Sequence, residues 1–309
     1  KLFPANLLGG LRLLDAFRSV FVDMAFMPSG GVTQDTLAEH LAHPAVAAVS
    51  GSWLTSSAMG PAPSEPTARS GIVTAGESLA LVYSTRTGGF DTVGNAGISF
   101  GGSESNVAIA AARLGAKTTW IGRVGDDAFG RRIVRAIRGE GVEVVATVDS
   151  DAPTALMLKD RPARGRTRVV YYRAGNAGSR LTPDDVPEGS LSSARIFHFT
   201  GISLAVSEVL ARTVLNAARD AKTAGAMISF DVNHRSRLWA EDTARAAYRR
   251  AFALADIVFA GDDEAAIAVG PGEPADLASR IAACGPGEVI IKLGERGAYA
   301  LEGDTICEQ

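Results

Sequence analysis

The stretch SFGGSESNVAIAAARLG, residues 99 to 115, places two glycines between a strand-like segment and a helix-like segment. Because glycine has no side chain, the Gly101–Gly102 pair allows a ligand to approach the backbone closely. The N-terminus of the following helix favours anions and hydroxyl-rich ligands, and Asn106 in its first turn can face the same space. A tight strand-to-helix turn with a capping Asn explains the same residues without a ligand, so the spacing leaves both interpretations open.

Strand-like and helix-like segments alternate on both sides of this turn, which is typical of an α/β fold. GIVTAGESLALVY, residues 71 to 83, predicts one strand, and Gly115 ends the helix VAIAAARLG in the position where glycine is favoured. TALMLKD and TRVVYYR, residues 154 to 160 and 167 to 173, predict paired strands joined by a basic loop.

The composition changes sharply at TSSAMGPAPSEPTARS, residues 55 to 70, which is rich in Ser, Pro, Ala and Gly and is typical of a linker. Before it, residues 1 to 54 have a β-α-β-α-β pattern that includes a helix from near Thr33. We therefore predict a first segment over 1–54, a linker over 55–70 and a larger α/β domain over 71–309.

The composition of the whole chain excludes several classes of protein. A net charge of −3 gives no basic surface for nucleic acid, and no apolar run approaches the ~20 residues that a membrane helix needs. Two cysteines are too few for a disulfide framework, so we expect a reducing, cytoplasmic location.

Two arginines follow strand-like segments and could recognise a carboxylate. Tyr171 and Arg173 lie two residues apart, so on a strand they share one face. Arg235 follows the buried run AMISF, and in open α/β sheets ligands lie beyond the carboxyl ends of such strands. A guanidinium group can bind a carboxylate through two hydrogen bonds. An edge-strand Arg beside a packed Tyr, and a surface Arg after a cap, are the alternatives without a ligand.

Two further motifs follow strands nearer the C-terminus. The acidic run DDE, residues 262 to 264, could hold Mg²⁺ through water or could cap the next helix. IIKLGERG ends a strand at Lys292 and has a turn between Gly294 and Gly297. Such a turn can contact a nucleotide, although the motif alone is weak evidence.

Taken in order, seven motifs make the region from Gly71 onward resemble the ribokinase-like (PfkB) carbohydrate kinases, and within them the 2-keto-3-deoxygluconate (KDG) kinases. The motifs are TAGE, FGGSESNVAIAAARLG, IGRVGDDAFG, VVYYRAGNAGS, FHFTGIS, SFDVNHR–LW and IKLGERGAY. The resemblance implies an α/β/α sandwich with a small β lid, ATP and Mg²⁺ as cofactors, and a homodimer through the lid.

The same resemblance assigns roles to individual residues. The sugar-binding residues of the family match Gly101, Gly102 and Asn106, and its contacts to the keto-acid end match Tyr171, Arg173 and Arg235. The nucleotide-side strand and turn match Lys292, Gly294 and Gly297, and the metal-organising acidic residue matches Glu264. The chain departs from the family at two positions, because Gly261 replaces an Asn and Met157 replaces a lid tyrosine.

Residues 1 to 54 resemble the C-terminal portion of 2-keto-3-deoxy-6-phosphogluconate (KDPG) aldolase, a (β/α)₈ barrel. KLFPA matches the strand of the Schiff-base lysine, which makes Lys1 the matching nucleophile. SGGV and SGSWL match the phosphate-binding turns, with Gly30, Gly31 and Ser52 as the candidate contacts. We expect Lys1 to be inactive outside a closed barrel.

The kinase family's Gly-Ala-Gly-Asp motif, whose Asp is the catalytic base, does not occur in the printed sequence. We therefore expect little kinase turnover from the chain as given, and interpret it as a fragment of a bifunctional aldolase–kinase that phosphorylates KDG to KDPG. Two alternatives remain: a PfkB kinase of ribose, fructose or a nucleoside, and a non-catalytic module that binds a sugar acid.

Overall fold

The computed structural model describes residues 33, 36–44, 46, 71–92, 94–303 and 305–308, the last four by their backbone alone. The chain divides into two units, Lys1–Ala68 and Arg69–Gln309, and each is described by itself. In the first unit the described residues contain the short helix α1 (Leu37–Leu41). The helix that the sequence predicted from near Thr33 therefore begins at Leu37.

The described residues of the second unit form thirteen strands and eight further α-helices. The strands are β1 (Ile72–Ala75), β2 (Leu79–Ser84), β3 (Ala96–Gly101), β4 (Thr118–Gly125), β5 (Glu143–Asp149), β6 (Leu156–Ala163), β7 (Arg166–Tyr172), β8 (Ile196–Thr200), β9 (Met227–Asp231), β10 (Ile257–Gly261), β11 (Glu288–Lys292), β12 (Ala298–Glu302) and β13 (Thr305–Glu308). The helices are α2 (Ser103–Arg113), α3 (Ala128–Gly139), α4 (Glu188–Ser192), α5 (Gly201–Val206), α6 (Glu208–Thr223), α7 (Glu241–Phe252), α8 (Asp262–Val269) and α9 (Pro274–Ala282).

The strands form a large sheet and a small sheet. The large sheet has the order β13-β12-β11-β10-β9-β8-β1-β4-β5 and is parallel except for the β11–β12 and β12–β13 pairs. The small sheet has the order β3-β2-β6-β7. Its β6–β7 pair is antiparallel, with Met157 opposite Tyr171, which confirms the predicted pairing of these two segments.

The single strand predicted over residues 71 to 83 is wrong, because the segment is divided between the two sheets. β1 lies in the large sheet and β2 in the small sheet, and Gly76–Ser78 connects them. A Cβ atom on Gly76 would lie 2.5 Å from the carboxyl group of Glu104, so only glycine lets the chain pass this buried side chain. The connection between the sheets is therefore fixed by close packing.

The large sheet is covered on both faces, as an α/β/α arrangement requires. Trp120 and Ile121 are neighbours on β4 and point to opposite faces, and both are fully buried. Trp120 belongs to a cluster that α2 and α3 build with β4, whereas Ile121 belongs to the larger cluster that includes side chains of α6 to α9. No described helix has the length and hydropathy that a membrane crossing requires.

Four buried aromatic side chains pack under the central strands of the large sheet. The ring of Phe230 on β9 lies 4.9 Å from that of Phe199 on β8, and within 6.2 Å of Tyr248 and Phe252 on α7. This packing anchors the carboxyl end of β9, from which the segment 231–235 emerges.

Candidate active site

A cavity of about 210 Å³ is lined by residues of the small sheet, the glycine turn and segments that follow strands of the large sheet. All six residues predicted to contact a sugar acid line it. The complete lining is Glu77, Leu79, Gly101, Gly102, Ser103, Asn106, Met157, Tyr171, Arg173, Ile202, Asn233 and Arg235.

The two glycines of the turn have different surroundings. A Cβ atom on Gly102 would lie 2.6 Å from Ser105 Oγ and 2.7 Å from the carbonyl oxygen of Glu77, so packing requires glycine there. A Cβ atom on Gly101 would meet only Met157 Cε at 3.8 Å, so Gly101 leaves space within the cavity. Gly102 is the N-cap of α2, so Asn106 is the fourth residue of the helix and does not occupy the N-cap position.

Arg173 is held in the cavity by a carboxylate that the sequence analysis did not select. Its Nη2 donates to Glu77 Oε2, and the side chains of Arg173 and Glu77 are 12% and 1% exposed. Arg173 also lies over the ring of Tyr171, 5.4 Å from its centroid, so the two residues share a face as predicted. Glu77 could have been found from its position directly beyond the carboxyl end of β1.

Burial raises the pKa of Glu77, and the guanidinium group of Arg173 opposes that rise. The two charges compensate each other in a region with little water, where an unpaired ion is strongly disfavoured. Arg173 is therefore a largely buried and oriented hydrogen-bond donor.

Arg235 has a different environment from Arg173. It is exposed, its Nη1 donates to the carbonyl oxygen of His234 at 2.8 Å, and the described residues give it no carboxylate partner. Asn233 lies in the turn that precedes Arg235. Its φ is 39°, a left-handed conformation that Asn adopts more readily than most residues. The amide of Asn233 donates to Ser103 Oγ, which joins the turn to the start of α2.

Glu264 acts as a helix cap, one of the two roles that the sequence left open. It is the third residue of α8, and its Oε2 accepts from the backbone N–H of Gly261 at 2.7 Å. Its Oε1 accepts from the backbone N–H of His234 at 2.9 Å, and Lys292 Nζ lies 3.6 Å from Oε2.

Each oxygen of Glu264 accepts one backbone hydrogen bond, so the carboxylate is already fixed as a cap. In the described ranges, no three His, Cys, Asp or Glu side chains are grouped as a metal site would require. A role of Glu264 toward Mg²⁺ through water stays a prediction.

The residues predicted to contact a nucleotide lie apart from the lining of the cavity. Lys292 Nζ donates to Asp231 Oδ1 at 2.7 Å, which links the carboxyl ends of β9 and β11. Gly294 and Gly297 lie in the turn between β11 and β12 with φ of 62° and 89°, and a Cβ atom on Gly294 would meet nothing within 4 Å. Their role toward a nucleotide stays a prediction.

The candidate residues of the first segment lie outside the described residues. These are Lys1, Gly30, Gly31 and Ser52.

Comparison with known families decides the interpretation of the second unit. Residues 72–308 match the model of the pfkB family carbohydrate kinases. The chain belongs to this family. The predicted resemblance is thus confirmed, and with it the ribokinase-like α/β fold with a small β lid. We call the small sheet the lid from here on. Residues 1–62 match the model of the KDPG and KHG aldolases, which confirms the second predicted resemblance.

Several relatives are named as kinases of sugars or sugar acids. The 2-dehydro-3-deoxygluconokinase of Thermoproteus tenax is 41% identical over 206 residues, 64% of this chain and 61% of that enzyme. The enzyme of the same name from Bacillus subtilis is 36% identical over 75% of this chain and 73% of its own length. Fructokinase of Solanum tuberosum is 37% identical over 51% of this chain and 48% of its own length.

Solved structures of the family have the same architecture. The PfkB protein from Polaromonas sp. JS666 superposes with a TM-score of 0.73 at 31% identity, over 78% of this chain and 82% of that chain. A putative ribokinase II from E. coli in complex with ATP and Mg²⁺ superposes with a TM-score of 0.72 at 25% identity, over 78% of each chain.

Proposed function

We propose that the PfkB unit binds 2-keto-3-deoxygluconate, also named 2-dehydro-3-deoxygluconate, as the acceptor of a phosphoryl group from ATP. The observation that carries the proposal is Arg235, an exposed cation in the cavity for which the described residues provide no carboxylate partner. A neutral sugar gives such a cation no counter-charge, whereas the carboxylate of KDG accepts two hydrogen bonds from it. The names of the two gluconokinase relatives support the same substrate.

Other lining residues would bind the remaining groups of the substrate. Arg173, fixed by Glu77, would donate to the keto group or a neighbouring hydroxyl, and Tyr171 offers a phenolic hydroxyl beside it. Gly101 and Asn106 would face the hydroxyl-bearing carbons, because both border open space at the start of α2.

ATP would bind at Lys292, Gly294 and Gly297 beyond the carboxyl end of β11, and the complex of the E. coli relative with ATP and Mg²⁺ supports a nucleotide in this family. Because KDPG is the substrate of the aldolase that residues 1–62 resemble, we also propose that the two activities are consecutive in one protein. A cytoplasmic location and a homodimer through the lid stay predictions.

Binding of KDG to this chain tests the proposal without requiring turnover. Isothermal titration with KDG and with fructose should give measurable heat for KDG alone. Arg235→Leu should weaken KDG binding about 10- to 100-fold, because it removes a charge-assisted hydrogen bond. Arg166→Leu is the matched control, since Arg166 is an exposed lid arginine outside the cavity.

Three results would contradict the proposal. Preferential binding of fructose would favour the alternative that the unit is a kinase of a neutral sugar, an alternative that the similarity to fructokinase supports. KDG binding that Arg235→Leu leaves unchanged would remove the carboxylate contact. If a longer form of the protein that contains the catalytic Asp motif bound KDG and ATP without transferring phosphate, the unit would be a sugar-acid-binding module.

A further inference from the structure

Glu77 is a buried carboxylate whose place in the cavity is fixed from three sides. It lies in the Gly76–Ser78 connection between the two sheets, and its side chain is 1% exposed. A Cβ atom on Gly178 would lie 2.5 Å from Glu77 Cγ, so the backbone of Gly178 packs closely against this side chain. Glu77 Oε2 accepts a hydrogen bond from Arg173. Its surroundings therefore leave the carboxylate little freedom to move away from Arg173.

Three lining residues carry acidic or basic side chains, namely Glu77, Arg173 and Arg235. Glu77 and Arg173 form an ion pair, so their charges cancel at close range. One positive charge, on Arg235, is left for a ligand. A ligand with one carboxylate matches this balance, whereas a second carboxylate would enter a partly buried site without a counter-charge, which is costly.

We propose that Glu77 determines the charge of the acid that the site accepts: by neutralising Arg173 it selects sugar acids with a single carboxylate and rejects the corresponding dicarboxylates. The inference rests on the proposed function, since it assumes a sugar acid in this cavity. Glu77 acts through Arg173 and the net charge of the cavity, and its buried oxygens do not need to contact the ligand. The site discriminates because the second carboxylate of a dicarboxylate would find no positive charge in the cavity, which disfavours binding of that ligand.

The test compares two ligands of equal chain length that differ in one group, 2-keto-3-deoxygluconate and 2-keto-3-deoxyglucarate, by isothermal titration. The wild-type chain should bind the monocarboxylate at least about tenfold more tightly than the dicarboxylate. Glu77→Gln keeps an oxygen acceptor for Arg173 but removes the negative charge. This variant should reduce the tenfold preference to about twofold or less.

The double variant Glu77→Gln/Arg173→Gln restores the net charge of the cavity without the ion pair. Its preference for the monocarboxylate should return to within about twofold of the wild-type value, even though both affinities fall. A structural role of Glu77 alone would not produce this return. Thermal unfolding of each variant verifies that it is folded at the temperature of titration.

The outcomes separate this inference from the proposed function. If the wild-type chain binds KDG but binds the dicarboxylate equally well, the inference is wrong and the proposed function stands, with no variant needed. The same holds if Glu77→Gln is folded and keeps the wild-type preference. If the wild-type chain does not bind KDG, the proposed function itself fails.

Discussion

The large sheet and the lid contribute different properties to the same cavity. Large-sheet strands are buried on both faces, and Phe199, Phe230 and Val258 have no exposed surface. In β7 of the lid, six of seven residues are exposed. The lid nevertheless supplies Met157 and Tyr171 to the cavity. Burial is therefore concentrated in the large sheet, and the lid lines the cavity with side chains from sparsely packed strands.

The segment 231–235 connects the buried core of the large sheet with the cavity. It follows the buried Phe230 directly, and successive residues then serve different partners. Asp231 binds Lys292, the backbone of His234 donates to Glu264, and Arg235 reaches the cavity. The position of Arg235 in the cavity thus depends on the core packing of the large sheet, whereas the position of Tyr171 in the lid does not. Four changes test this difference.

The largest expected effect is on the packing of the large sheet. Phe230→Ala removes a fully buried ring that contacts three other aromatic rings, so we expect a loss of about 3–5 kcal/mol in the free energy of unfolding. Tyr172→Ala in the lid, where the ring is 57% exposed, should cost less than about 1 kcal/mol. Urea unfolding of both variants measures the difference, and equal losses would contradict the division between the sheets.

The second prediction uses pH to weaken the large sheet. Burial, with a smaller effect from the charge of Lys292, lowers the pKa of His198 on β8 to about 4. Between about pH 6.5 and 4 the unfolded chain binds a proton that the folded chain does not, so stability falls as the pH falls through this window. The loss approaches about 3 kcal/mol at the acid end and is absent above pH 6.5.

The control for this prediction removes the titrating group. His198→Gln keeps an amide that can bond to Ser229, the partner of His198 Nδ1 at 2.9 Å. Other groups titrate equally in both proteins, so the difference between their urea midpoints at pH 7 and pH 5 isolates His198. A wild-type loss no larger than that of the variant would show that His198 is protonated in the folded state.

The sequence predicted the lid strands correctly but did not predict where the chain passes from one sheet to the other. The period of the apolar residues identified the paired lid strands β6 and β7. It did not separate β1 from β2, because apolar residues flank Gly76–Ser78 on both sides and the close packing of Gly76 against Glu104 is a contact distant in sequence. The spacing of apolar residues indicates which face of a strand is buried, but it does not indicate the sheet to which the strand belongs.

Individual motifs identified residues that a ligand would touch, and missed those that hold them. Tyr171, Arg173 and Arg235 were identified because arginines and tyrosines at strand ends suit an acid. Glu77 was missed because its role depends on Arg173, a partner far away in the sequence. No local spacing encodes a contact between residues about 100 positions apart.

The third prediction compares the two neighbouring glycines of the turn. Gly102→Ala places a Cβ atom 2.7 Å from the carbonyl oxygen of Glu77, and such overpacking costs about 1–3 kcal/mol of stability. Gly101→Ala should leave the urea midpoint unchanged, because its Cβ atom enters the cavity. There it should weaken KDG binding about tenfold by excluding part of the ligand. If Gly101→Ala lowered stability as much as Gly102→Ala, packing alone would explain both glycines.

The smallest expected effect concerns the contact that joins the two sheets beside the cavity. Arg237 follows β9 in the chain, and its Nη1 donates to the carbonyl oxygen of Val169 on lid strand β7 at 2.9 Å. Arg237→Leu removes this bond and leaves Tyr171, two residues further along β7, less firmly placed. Because an exposed hydrogen bond contributes about 0.5–1.5 kcal/mol, we expect KDG binding to weaken about two- to fivefold and the free energy of unfolding to fall by no more than that amount. Arg166→Leu removes an exposed lid arginine that has no hydrogen bond to another sheet within the described part of the chain, and it should leave both quantities unchanged. A larger loss of affinity from Arg237→Leu than from Arg235→Leu would reverse the assignment, since it would make placement of the lid more important than the charge that meets the substrate.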